Sequence, residues 1–264
     1  MVSCLSSRIS YGVFKICSYN FQVPVVFDLL NAGKNLHHHF QAYGGWSFTF
    51  KDYWQMNITN KLDSGAFSEL MNIIDPYEYR EKLLLPKIVC SGAMDEFFQL
   101  DDSNLWWHQM PYADEFNRLL IVPNAEHSQI TGFLELLPAV STWARSLLLA
   151  NSKVDKALFP FRTIEERNAR SLQLMKQSTI PKVTWSINED NGEIVVQTDT
   201  QPKAVHLWHA NTCGLSARRD FRIANKDDPC LCGIGDLSIA GYDHLCGNLA
   251  VLWSSEVSIK AMKN

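Results

Sequence analysis

Apolar residues in the first half of the chain fall in short blocks separated by segments of helical period. Val23-Pro24-Val25-Val26-Phe27, the run Lys87-Ile88-Val89-Cys90 and Leu119-Leu120-Ile121-Val122 are each a few residues long and bounded by turn residues. That is how buried strands of a parallel sheet read. Between them, a polar, His-rich segment reaching Tyr43 reads as a helix. A second helix is expected over Ser64 to Ile74, with Ser64 as N-cap, Pro76 just past its end and Phe67, Leu70, Met71 and Ile74 on one face. A third is expected over Asp101 to Met110, packed through Leu105, Trp106 and Met110; it would complete a strand–helix–strand crossover. Phe133, Leu136, Leu137, Val140, Trp143, Ala144 and Leu147 then recur at helical spacing.

After Pro181 the period changes. Val183, Trp185 and Ile187 alternate with polar residues, and Asp190-Asn191-Gly192 is a hairpin signal. Glu193 to Thr198, Ala204 to His209, Phe221 to Ile223 and Leu249 to Trp253 continue as short strands, a spacing that suggests a small β-sandwich of the immunoglobulin or fibronectin kind. The expected division is an unassigned stretch 1–20, an α/β region 21–150, a charged linker 151–181 with helical character, and a β domain 182–264.

The totals narrow the field. The 264 residues are 46% hydrophobic, enough to bury a core, and the net charge of −4 leaves no basic block for nucleic acid. Uninterrupted apolar runs fall short of the roughly 20 residues of a membrane helix, so no membrane insertion is expected. The first 20 residues lack the continuous apolar core and small-residue cleavage site of a signal peptide, and we read the chain as missing its natural beginning. Of seven Cys, Cys4, Cys17 and Cys90 are scattered, while Cys213, Cys230, Cys232 and Cys246 crowd together. Disulfides, free thiols and a metal site all remain open for that group. A Cys-x-Cys spacing argues against common zinc sites, and disulfides would place the chain in an oxidising compartment.

The candidate chemistry lies between Pro86 and Ser128. Ser91-Gly92-Ala93 breaks the second strand and delivers Asp95; Pro123-Asn124-Ala125-Glu126 follows the third and delivers His127. Open α/β sheets gather ligands outside the carboxyl ends of their strands. The order acid then His is that of the last two members of a Ser…Asp…His hydrolase triad, in which the His takes the nucleophile's proton and the Asp fixes its tautomer. Asp95 and His127 are therefore the candidate catalytic residues, expected within hydrogen-bond reach. Other candidates are weaker. His37-His38-His39 fan round a helix by about 100° each and cannot converge on one metal ion. His206 and His209 read as packing or solvent-facing strand residues. Gly44-Gly45-Trp46-Ser47 fails the G-x-S-x-G pattern, because Thr49 stands at the second Gly and no apolar strand leads into it. No metal and no cofactor are expected.

Several segments together resemble the PhoPQ-activated pathogenicity-related family: Val25 to Asn31, Tyr43-Gly44-Gly45-Trp46-Ser47, Ile74-Asp75-Pro76-Tyr77, Tyr79-Arg80, Pro86-Lys87, Ser91 to Phe98 and Val122 to Ser128. They run in the family's order from about Val23 to Ser128. The resemblance implies an α/β-hydrolase-like sheet, partial in this chain, and an exported protein. It also implies a nucleophile elbow like Gly-x-Ser-Lys-Arg-Gly upstream of Gly44-Gly45-Trp46-Ser47, and nothing like that elbow occurs in this sequence. Two functions follow as expectations. One is a truncated hydrolase-like protein that keeps the acid and histidine without the nucleophile and is not catalytic as written. The alternative is a secreted signalling or binding protein that acts through contacts with a protein receptor. An intact hydrolase for a small ester or peptide, using Ser91 or Ser47, is the minor third.

Overall fold

The computed structural model describes residues 13–14, 21–27, 29–113, 117–151, 166, 169, 172–173, 176–188, 190–213, 219–226, 230, 232–239 and 241–257. The expected linker lies mostly outside the described residues, as do Cys4 and Cys17. β1 (Val13–Phe14) pairs antiparallel with β2 (Val23–Pro24). The chain around β2 then runs parallel to β3 (Ile88–Gly92), through bridges from Gln22 to Lys87 and from Val25 to Cys90. β3 also pairs parallel, residue for residue, with β4 (Arg118–Val122), from Ile88 opposite Arg118 to Gly92 opposite Val122. β3 is thus central, and all five of its residues are buried. The three apolar blocks were readable because a strand covered on both faces needs no polar alternation.

Each face of β3 has its own layer. Val89 packs with Leu30, Trp106, Trp107 and Met110. Ile88 and Cys90 pack against Trp143 and Leu147 of the long helix that follows β4. Phe21 meets Trp143 edge to face at 5.3 Å.

α1 (Ala32–Tyr43) begins after Asn31, which is left-handed at φ 56°, and stops at Gly44, φ 67°, whose N–H bonds Phe40. α2 (Lys51–Gln55) is short and buries none of its residues. α3 (Gly65–Ile74) is capped as expected, Ser64 Oγ accepting from the Phe67 N–H at 3.2 Å. Its expected face is only partly used. Phe67 is buried, but Leu70 and Ile74 are about half exposed at 46% and 54%. α4 (Phe133–Asn151) has 19 residues with Pro138 inside. Phe133 and Leu137 stay outside the packed face, whereas Leu136, Val140 and Ala144 join Trp143 and Leu147 on the sheet. By length and composition alone, Phe133–Ala150 reaches the threshold for a membrane span, which the short apolar runs did not anticipate.

The crossover between β3 and β4 departs from expectation. Residues 101–110 form two 3₁₀ turns, Asp102–Leu105 and Trp107–Gln109, broken at Trp106 with φ −146°. Consecutive Trp106 and Trp107 are both fully buried in the cluster that covers Val89, and the break at Trp106 accompanies that packing.

The second half holds small antiparallel sheets. β5 (Val183–Ile187) and β6 (Ile194–Thr198) form a five-pair hairpin around the expected turn, with Gly192 at φ 72°. β7 (His206–His209) pairs with the last described strand, while β8 (Ala224–Asn225), β9 (Ile234–Ile239) and β10 (Tyr242–Gly247) form a sheet ordered β8-β10-β9. β11 (Ser254–Val257) is the partner of β7. Two expected strands differ: Phe221 to Ile223 is irregular, and Leu249–Val251 is a 3₁₀ turn ahead of β11. Trp185, Ile187 and Val196 of the hairpin are each about half exposed, so no second sheet fully covers it among the described residues.

Two disulfides, Cys213–Cys232 and Cys230–Cys246, staple the segment around β8 to β10, and Cys90 is free and buried. This segment does not stand apart. Phe48 packs with Ala224 and Leu245, and meets the Tyr242 ring at 5.0 Å.

Candidate functional site

The parallel pairing of β3 and β4 brings their C-terminal loops together. The Ala93 N–H bonds Val122 O and the Met94 N–H bonds Ala125 O, both at 2.9 Å. Gly92 is required at this point, because a Cβ there would lie 2.5 Å from Ala125 O and 3.0 Å from Glu126 O.

Asp95 is the buried anchor, its side chain 2% exposed. Its Oδ1 accepts the N–H groups of Phe97 at 2.6 Å and Phe98 at 3.0 Å. His127 Nδ1 faces both carboxylate oxygens, at 3.1 and 3.0 Å. An ionised carboxylate so placed fixes the proton on Nδ1 and leaves Nε2 as the free base. Nε2 has no hydrogen-bond partner among the described residues. The imidazole lies against Phe97 and Phe98, with centroids 4.3 and 5.5 Å away, and its side chain is 30% exposed. Burial lowers its pKa, but the Asp95 hydrogen bond and the charges of Asp95, Glu96 and Glu126 outweigh that, and the net shift is upward.

Glu96 also belongs to this cluster, although no motif singles it out. It is fully buried; Oε2 accepts the His127 N–H at 3.2 Å, and Oε1 has no partner among the described residues. Burial, then the charge of Asp95, raises its pKa. The available signal was two acids in succession after a strand, the second of which cannot point where the first does.

Gly44-Gly45-Trp46-Ser47 supports this pair from below. Ser47 Oγ and Thr49 Oγ1 both donate to Glu96 O, at 2.9 and 3.2 Å, and Ser47 is 1% exposed. The Ser47 N–H donates to His39 Nε2 at 3.1 Å; burial, then Arg222, lowers the His39 pKa to about 3. The three consecutive histidines do diverge: His37 meets Asp63, His38 meets Asp101, and His39 takes the Ser47 amide.

Both loops are also held by the disulfide-stapled segment and the chain that follows it. Asn124, three residues before His127 and left-handed at φ 57°, exchanges two hydrogen bonds with the Trp253 backbone at 2.9 and 2.8 Å. The Ile223 N–H donates to Met94 O at 3.1 Å. A cavity of about 50 Å³ borders Asp95, walled by Tyr43, Phe98, Arg219 and Arg222, but His127 does not line it. It is water-sized, and a substrate at Nε2 would approach from elsewhere. A wider groove of about 520 Å³ runs along the start of β4, beside Trp143 and Pro181.

One grouping of metal-ligand types occurs among the described residues, His38 with Asp101 and Asp102. Arg219 lies 2.6 Å from Asp101 Oδ2 and supplies the positive charge a cation would bring. His206 and His209 sit on β7 outside any such grouping.

Fold and site together define a mixed α/β protein with a carboxylate–imidazole pair just past the ends of adjacent parallel strands. The sequence pattern of the PhoPQ-activated pathogenicity-related proteins matches residues 21–156, which contain the pair, and the chain belongs to that family. Autocrine proliferation repressor protein A of Dictyostelium discoideum is 31% identical over 210 residues, covering 80% of this chain. The chain spans only 38% of that relative's length. No solved structure matches.

Proposed function

We propose that Asp95 and His127 are the acid and base of an α/β-hydrolase-type relay, held in this chain without its nucleophile. The observation that carries this reading is the buried Asp95 carboxylate on Nδ1, with Nε2 left open. In acyl transfer Nε2 would take a proton from a hydroxyl or thiol as it attacks a carbonyl, and Asp95 would stabilise the imidazolium. Three nearby hydroxyls are unsuited to the role. Ser47 is committed to Glu96 O, Ser91 is buried within β3, and Ser128 Oγ donates to Glu126 Oε1 at 2.6 Å. The three parallel segments are then the acid-and-histidine side of a larger hydrolase-like sheet, and the later strands are a β-sandwich-like module docked against it.

The 264-residue chain is expected not to hydrolyse p-nitrophenyl acetate above the level of its His127→Ala variant. Loss of one oxyanion donor alone costs about 10²–10³ in rate, and neither an elbow nor its oxyanion donors are recognisable in this sequence. Turnover by the parent chain that disappears in His127→Ala would overturn the proposal.

A second reading is favoured by the relative's name, which describes an autocrine repressor of proliferation. On it the chain is a secreted signalling protein that works by binding a receptor. The two disulfides support export, since they persist in oxidising compartments.

A further inference from the structure

We propose that Asn57 carries an N-linked glycan. Asn57-Ile58-Thr59 is the one Asn-x-Ser/Thr tripeptide in the sequence, the pattern that oligosaccharide transfer requires. The structure sets it on an exposed turn. α2 buries none of its residues, and the chain leaves it at Met56, 63% exposed, with Asn57 exposed and left-handed at φ 61°. The Asn57 backbone N–H closes the turn on Trp54 O at 3.0 Å. Its side-chain Oδ1 accepts from Asn60 Nδ2 at 2.6 Å, while Nδ2, the atom to be modified, has no partner among the described residues. Three residues earlier, Trp54 is 48% exposed, and Tyr53 is 38% exposed. Both rings are partly exposed on this turn, and Tyr53 also packs 5.4 Å from the Phe50 ring. Their apolar faces suit the C–H face of the first sugar, as amphipathic aromatic rings do at wet interfaces.

The inference rests on the export reading, because transfer takes place in the same oxidising lumen that forms Cys213–Cys232 and Cys230–Cys246. In the step, Asn57 Nδ2 bonds to the anomeric carbon of a lipid-diphosphate-linked oligosaccharide. The anomeric C–O bond breaks, the lipid diphosphate leaves, and the amide proton passes to a carboxylate of the transferase. Thr59 supplies the hydroxyl that the transferase recognises.

The test is to express the full chain behind a cleavable secretion leader in a eukaryotic host and map the secreted protein by mass, with and without peptide-N-glycosidase. We expect one glycan, removed with conversion Asn57→Asp, lost in Asn57→Gln and in Thr59→Ala, and kept in Thr59→Ser. Secreted protein with both disulfides formed and an unmodified Asn57 would overturn the glycan and leave export standing. Chain that is retained with Cys213, Cys230, Cys232 and Cys246 reduced would overturn the export reading, and the glycan with it.

Discussion

Gly92→Ala is expected to cost about 2–3 kcal/mol of stability and to disturb the His127 loop, whereas Gly45→Ala is expected to cost far less. The difference is one of space. At Gly92 the added methyl meets the backbone oxygens of Ala125 and Glu126 at 2.5 and 3.0 Å, and Gln129 Nε2 at 2.8 Å. Two of these are backbone atoms in the loop that carries His127, so relief requires the loop to move. At Gly45 nothing lies within 4 Å. Urea unfolding of both variants checks the contrast, and equal losses would show that β3 and the His127 loop are not in contact as described.

Raising the pH from 7 to 9 is expected to stabilise the chain by about 2–3 kcal/mol through Lys87, an effect absent from Lys87→Met. Lys87 is 1% exposed and has no carboxylate partner among the described residues; its Nζ donates to Leu83 O and Leu85 O at 2.7 and 2.8 Å. Burial pushes its pKa down to about 7 from 10.5. Between those values the unfolded chain holds a proton that the folded chain has released, so stability rises with pH and is lost as pH falls toward 7. Above pH 9 Cys90 opposes the trend. Burial raises its thiol to about 12, so the unfolded chain alone ionises there. Urea midpoints at pH 7, 8 and 9 provide the check; a slope shared by parent and Lys87→Met would assign it to other groups.

The pair was legible in the sequence because strand ends and turn residues carry it. A buried parallel strand is an apolar block, and the residue a few places beyond its end is confined to the carboxyl rim. Glu96 was not legible. Its role depends on a backbone N–H 31 residues away and on the absence of a partner for Oε1 among the described residues, neither of which a pattern records. The 101–110 segment has helical spacing, but burying both Trp106 and Trp107 takes precedence over it. The β9–β10 hairpin escaped for another reason. Its register shifts between Tyr242, Leu245 and Gly247, and Asp236 and His244 are left-handed, so the alternation that reveals a strand is broken. The docking of the chain beyond β10 through Asn124 and Trp253, 129 residues apart, has no local signature at all.

On the proposed reading, Asp95 fixes His127 as a base with Nδ1–H and an open Nε2. Long-range ¹H–¹⁵N spectra of histidine-labelled protein, followed through a pH titration, test it most directly. We expect an Nδ1–H tautomer for His127 when neutral, a pKa raised above the ordinary 6.5, and a fall in that pKa in Asp95→Asn. An Nε2–H tautomer, with a pKa at or below 6.5 that Asp95→Asn leaves unchanged, would contradict it.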